Sequence, residues 1–342
     1  MKAWRRICVA VLVLAAAVGG IAAWWLQRPM DLAADSVELS IDLGTSPRDI
    51  AQAWVQAGVQ ASPLLLYEWF RWSGQARRIR AGSYEIERGV SPVDLLNKMV
   101  RGDESVAVVR LIEGWTFRQF RAELAAAESL RPRTAGASDA QIMAWLGAPG
   151  VAPEGRFYPD SYAYSKGSDD LAVLRRAYGA MNKRLEATWL ARSPNSPLRT
   201  ADDVLVLASI VEKETGLAAD RGKVAGVFVN RLRIGMPLQT DPTVIYGLGS
   251  AFDGNLRKRH LQLDTPFNTY MHTGLPPTPI AMPGKAALLA AVQPAATQAL
   301  YFVARGDGSS EFSETLAAHN RAVNRYQRGA ARLNAPDNGA GQ

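Results

Sequence analysis

Glu212 and Glu214, in the string SIVEKET (209–215), are the side chains of this chain best suited to moving a proton. A carboxyl works as general acid or base when its pKa is brought near the working pH, and partial burial does this by penalising the charged form. The string ends a predicted helix: Thr200-Ala201-Asp202-Asp203 has the form of a capping box, and 204–215 follows as helix stopped by Gly216. At about 100° per residue Glu214 lies on the stripe of Leu207, Ile210 and Val211, whereas Glu212 points roughly 160° away from it. The carboxyl expected on the buried side is therefore Glu214. An acid there is costly unless it is paired, protonated or opens on a cleft. The pattern alone leaves open a helix end whose carboxyl simply reaches solvent or a nearby Lys or Arg.

The segments that follow are candidates for a binding groove. Residues 230–247 crowd Asn230, Gln239, Thr240, Asp241 and Tyr246 into a stretch too rich in hydrogen-bonding types for a plain connector. Asn268 and Tyr270 then lead to a run in which Pro276, Pro277 and Pro279 fix the backbone before any ligand arrives. Neutral sugar hydroxyls call for such Asn, Gln, Thr, Asp and Tyr partners, with aromatic faces beneath the ring. Residue by residue, the alternative stands that Tyr246 and Tyr270 are core residues and the proline run a rigid surface loop.

Composition narrows the chemistry further. Thirty-nine Lys and Arg against 32 Asp and Glu give a formal charge of +7 and favour an anionic surroundings or partner. The excess is diffuse, with no Cys/His finger, dense basic run or RNA-binding aromatic motif, so no nucleic-acid partner is expected. Cys8 is the only cysteine, which leaves the soluble part without a thiol nucleophile or disulfide. The three histidines, His260, His272 and His319, are scattered and form no HExxH, so neither a metal nor another cofactor is expected.

These residues need elements to hold them, and the chain begins with a different one. Residues 7–26, ICVAVLVLAAAVGGIAAWWL, are uncharged and long enough to cross a bilayer as a helix. Lys2, Arg5 and Arg6 precede the run and Asp31 and Asp35 follow it, so the charge rule leaves residues 1–6 cytoplasmic and the remainder outside. A cleaved signal peptide with Ala15, Ala16 and Ala17 near the cut is the competing expectation, but the apolar run continues past that point. Next, strand-like 36–43 and 82–86 are each followed by a helix opened by Ser-Pro and an acid, Ser46-Pro47-Arg48-Asp49 and Ser91-Pro92-Val93-Asp94, and closed by Gly58 and Gly102. Two strand-then-helix units predict a compact module at 36–109. A larger domain is expected at 110–332 and a disordered tail at 333–342, giving an α+β chain behind an N-terminal transmembrane helix.

Several long strings carry a resemblance. LASIVEKETG (207–216), VNRLRIGMPLQTDPTVIYG (229–247), NTYMHTGLPPTPIAMPG (268–284), YFVARGDGSSEFSETLAAHN (301–320) and EGRFYPDSY (154–162) resemble the YceG-like endolytic murein transglycosylases, the MltG family. The resemblance implies that 36–109 is a LysM-like module, either glycan-binding or a spacer, and that 110–332 is the catalytic domain. It implies a single-pass protein of the bacterial inner membrane with a periplasmic catalytic domain, acting on peptidoglycan glycan strands and contacting peptidoglycan synthases. Its catalytic glutamate would be Glu214. The implied reaction cuts the MurNAc-GlcNAc β-1,4 bond without water, leaves 1,6-anhydromuramyl ends and limits strand elongation. Asn230, Gln239, Thr240, Tyr246, Asn268 and Tyr270 are the candidates for binding substrate or orienting Glu214, and Asp241 for binding substrate or capping the turn before Pro242. Two alternatives stay open: a hydrolase that uses Asp241 as a second carboxylate, and a tethered scaffold that binds the wall without cutting it.

Overall fold

The computed structural model describes residues 2–328, and the tail expected at 333–342 lies outside the described residues. The described residues divide into two compact units, one running to residue 109 with 127–131 and 163–169, the other of 110–126, 132–162 and from 170 onward.

The first unit opens with α1 (Lys2–Gln27), in which Ile7–Gln27 is apolar and long enough to cross a membrane. A short strand β1 (Asp31–Leu32) leads to β2 (Ser36–Ile41), α2 (Pro47–Ala57), β3 (Val59–Gln60), α3 (Pro63–Trp72), β4 (Gly82–Glu87), α4 (Pro92–Arg101) and β5 (Val106–Arg110). β2 and β4 pair antiparallel, with Val37 opposite Ile86 and Leu39 opposite Tyr84. Both expected caps form. Ser46 Oγ accepts from the Asp49 N–H, and Ser91 and Asp94 make a full capping box, closed by Gly102 in the left-handed conformation. The expectation of two strand-then-helix units missed α3, so the order between the paired strands is helix, helix. In α3 only Glu68 and Arg71 are charged, and a helix apolar on most sides shows no periodic stripe. Leu66 and Phe70 on α3 join Trp54, Tyr84, Leu95, Leu96 and Met99 in a core where each is at most 1% exposed. Burial of such a Leu or Phe contributes about 1.5–3 kcal/mol, enough to outweigh the missing side-chain cap at Ser62. Trp25 at the end of α1 packs on this core as well.

The second unit contains α5 (Phe117–Ala126), α6 (Asp139–Trp145), β6 (Ser161–Ser165, whose last residues belong to the first unit), α7 (Asp170–Leu190), α8 (Ala201–Glu214), α9 (Ala218–Arg233), α10 (Asp241–Leu248), α11 (Lys258–Leu261), α12 (Lys285–Val292), β7 (Tyr301–Ala304), β8 (Ser310–Ser313) and α13 (Leu316–Val323). α8 is its axis. Every residue from 204 to 211 is buried, against α7, α9, α10 and α12. Thr200 and Asp203 cap its start reciprocally, and it ends at Glu214 because Thr215 turns extended. The buried Ser209 Oγ accepts from the Ile280 N–H at 3.0 Å, which pins the proline-rich segment to the helix. Gly155 takes a φ of +77°, and a Cβ there would run into the Pro279 ring, so only glycine lets the neighbour of Glu154 approach that segment. β7 and β8 form an antiparallel hairpin, Phe302 opposite Phe312, that feeds α13.

Candidate active site

Because α8 stops at Glu214, its carboxyl leaves the helix where the backbone turns away, and the start of α10 meets it there. Thr240, only 1% exposed, donates its hydroxyl to Glu214 Oε1. A network of threonines holds that donor. The Thr240 N–H donates to Thr269 Oγ1 at 3.1 Å, Thr243 Oγ1 donates to the Thr240 carbonyl at 2.7 Å, and the Thr243 and Thr269 hydroxyls lie 2.9 Å apart. Asn268, fully buried, fixes the other side of the turn: its amide donates to the Leu261 and Leu263 carbonyls, and its oxygen accepts from the Tyr270 N–H. Tyr270 then donates its hydroxyl to Asp241 Oδ1 at 2.6 Å.

Glu214, Gln239, Asp241 and Tyr270 line one cavity of about 540 Å³, together with Arg231, Tyr301 and His319. Gln239 stands in the left-handed region at φ +47°, a conformation that costs a residue with a side chain about 1–2 kcal/mol. Arg231 is 7% exposed, donating to the Leu300, Pro237 and Leu238 carbonyls and standing 5.3 Å from the Tyr301 ring centre. His319 stacks on Tyr301, and its Nδ1 is buried without a protein partner. Arg231, Tyr301 and His319 come from α9, β7 and α13, segments too far apart for a local pattern to single them out.

The electrostatics favour a protonated Glu214. Part of the residue is open to the cavity, yet the carboxyl is crowded by protein, and this burial pushes its pKa above the ordinary carboxylate range. The Thr240 hydrogen bond pulls the other way, the Asp241 charge adds to the rise, and Arg231 opposes it. Burial, and then the Arg231 charge, hold His319 below its usual value, so its imidazole is neutral at pH 7. Such an arrangement can give one proton to a bound oxygen and take one back, beside neutral hydrogen-bonding groups.

Other expected residues go elsewhere. Asn230 binds the Thr297 and Ala299 carbonyls and lines a separate cavity with Gln293 and Gln298. Asn268 is spent on the backbone turn. Tyr246 faces a third cavity, of about 750 Å³, where it donates to Glu154 Oε2 at 3.1 Å. Glu154, 7% exposed, also accepts from the Phe117 N–H at 3.0 Å, and burial raises its pKa to about 7. It stands in the string EGRFYPDSY, but nothing in its spacing marks it as a buried acid. Glu212 departs from the wheel argument. It is half-buried, accepts from the Gly284 N–H at 2.9 Å and is raised by burial, because the backbone at 284 packs over it from far along the chain.

Comparison with known proteins follows the same lines. A curated endolytic murein transglycosylase of Bacillus subtilis strain 168 is 38% identical over 173 residues, 51% of this chain and 48% of that protein. One from Streptococcus pneumoniae is 25% identical over 320 residues, 84% of this chain and 58% of that protein. The chain thus spans about half the length of the curated relatives it matches. Among solved structures, a YceG-like protein of Listeria monocytogenes aligns with a TM-score of 0.53 and 26% identity, covering 84% of this chain and 98% of that one. The model of the YceG-like family matches residues 39–325, which takes in Glu214 and the whole threonine network around it: the chain belongs to the YceG-like family.

Proposed function

We propose that this chain is an endolytic lytic transglycosylase that cuts nascent peptidoglycan at the MurNAc-GlcNAc β-1,4 bond with Glu214 as its one acid and base. The observation that carries this is the Glu214 carboxyl itself, raised in pKa, held by Thr240 and open on a cavity of about 540 Å³. Protonated Glu214 gives its proton to the bridging oxygen as the C1–O4 bond breaks. The resulting carboxylate takes the proton of the muramyl C6 hydroxyl, whose oxygen bonds to C1. One proton leaves Glu214 and one returns, no water is consumed, and the new end is 1,6-anhydromuramyl. Since the nucleophile is already tethered to the reacting carbon, one carboxyl suffices where most glycosidases need two. Cutting inside nascent strands limits their elongation.

The rest of the chain is assigned accordingly. The apolar helix at 7–26 is a single-pass inner-membrane anchor with residues 1–6 cytoplasmic, and 110–332 is a periplasmic catalytic domain. The module at 36–109 is LysM-like, supported by two helices between two paired antiparallel strands. Peptidoglycan synthases are the proposed protein partners. Gln239, Thr240, Asp241 and Tyr270 bind substrate or orient Glu214, whereas the hydrogen bonds of Asn230 and Asn268 support scaffold roles.

One second reading has an observation behind it. Asp241 lines the Glu214 cavity and acts on its charge, so a hydrolase with Asp241 as base is the rival. Mass spectrometry of uncrosslinked glycan treated with the protein separates the two: anhydro ends are expected, and reducing muramic acid ends carrying water would replace the lyase by the hydrolase.

A further inference from the structure

Beside the Glu214 cavity lies the one lined by Glu154 and Tyr246, which the proposed chemistry does not use. The two share walls. Lys213 and Glu214 are neighbours at the end of α8, and Asp241 and Pro242 are neighbours at the start of α10; in each pair one residue lines each cavity. Adjacent Cα atoms are about 3.8 Å apart, so at both steps the chain brings the linings of the two cavities to within one residue of each other.

The lining of the second cavity suits a sugar. Tyr246 and Phe252 offer half-buried aromatic rings, Pro242 and Ile245 add apolar surface, Gln119 and Thr278 supply neutral polar groups, and the exposed Arg118, Asp139 and Lys213 add charged donors and acceptors. Its buried acid is already committed: Oε1 of Glu154 is held by the Phe117 N–H and Oε2 by Tyr246. Glu154 therefore braces the wall and orients Tyr246 instead of meeting a ligand as a free charge. A glycan strand is longer than one sugar, so a strand seated at Glu214 that continues over the Asp241–Pro242 step would meet this second cavity.

We propose that the Glu154–Tyr246 cavity is a second saccharide subsite, which grips the glycan strand away from the reacting bond and makes the protein prefer long strands over short ones. This rests on the glycan-cutting reading above and adds to it a basis for length selection.

Two substitutions at accessible positions test it without touching Glu214 or its network. Ala152→Trp, at an exposed residue on the rim, fills the cavity, and Phe252→Ala removes an aromatic face. In the full chain in detergent carrying Glu214→Gln, calorimetry compares a muropeptide-free disaccharide with long glycan strands stripped of their peptide stems. The parent protein is expected to bind the long strand tighter, and each added substitution to weaken that binding about tenfold while changing disaccharide binding less than about twofold. A parent with no length preference, a preference that both substitutions leave intact, or one that appears only when stems are attached would overturn the proposal. Product analysis on the chain with native Glu214 keeps the two ideas apart. Length-selective binding without cleavage sinks the enzymatic reading and leaves the subsite; cleavage with an unaltered length preference in both variants does the reverse.

Discussion

Two buried glutamates of the same unit, Glu154 and Glu214, are both raised in pKa by burial, yet their surroundings prepare them for different work. Glu154 has a hydrogen bond on each oxygen, from a backbone N–H and from Tyr246. Among the described residues only Oε1 of Glu214 is hydrogen-bonded, so its second oxygen is uncommitted beside the cavity. A perturbed pKa thus marks a desolvated acid, and spare bonding capacity separates a reagent from a brace. Glu212 also has one oxygen bonded, Oε2 by the Gly284 N–H, but it lines neither of the two cavities, so its spare oxygen faces no binding space there.

The sharpest way to break this contrast is to remove the charge at each site. Glu214→Gln is expected to lower glycan cleavage by about 10²–10⁴-fold while the melting transition is retained, and Glu212→Gln to keep most of the activity. Equal losses in the two variants, measured by release of anhydromuropeptides, would erase the distinction between reagent and brace. At Glu154 the expected effect is on stability. Its folded pKa, about 7, is above its unfolded value of about 4.5, so its stabilising contribution is complete below pH 4.5 and is lost as pH rises through 7. The size is about 3 kcal/mol for a shift of this extent. Unfolding in urea between pH 5 and 8 should show wild type losing stability relative to Glu154→Gln; parallel profiles would contradict the assignment.

Smaller effects sharpen the picture around Glu214. The Thr240 hydroxyl favours the charged carboxylate, so Thr240→Val should move the basic limb of the rate profile to higher pH and cost about tenfold in kcat, with Thr240→Ser restoring both. A rate loss with an unmoved limb would make Thr240 merely structural. Smallest of all, Tyr270→Phe releases Asp241 and is expected to raise KM by only about two- to fivefold with kcat little changed. A fall in kcat would show that Asp241 must be held for the chemistry itself.

How far these features could be read from the chain depended on whether their causes are local. The caps at Ser46, Ser91 and Thr200 were legible because a cap is a relation between residues three apart. The stripe through Leu207, Ile210, Val211 and Glu214 likewise put Glu214 on a buried side. It could not reveal that Glu212 would be half-buried too, which depends on the 284 loop packing from far along the chain. Tyr246 and Tyr270 looked equivalent in composition, yet Tyr246 lies on α10 while Tyr270 follows α11 and reaches Asp241 from outside, and they face different cavities. Arg231, Tyr301, His319 and Glu154 lie inside the resembling strings, but no spacing within those strings singled them out. In α3 the difficulty was the opposite one, an abundance of apolar residues that left no polar face to define a period.

The left-handed Gln239 has a consequence for any attempt to harden this protein. A laboratory screen that rewards heat resistance alone should drift toward Gln239→Gly, since glycine tolerates φ +47° without the penalty borne by a larger residue. That drift would strip an amide from the cavity wall beside Glu214, trading ligand contact for durability. Asn, which also enters the left-handed region readily, offers a compromise that keeps an amide, set back by one methylene.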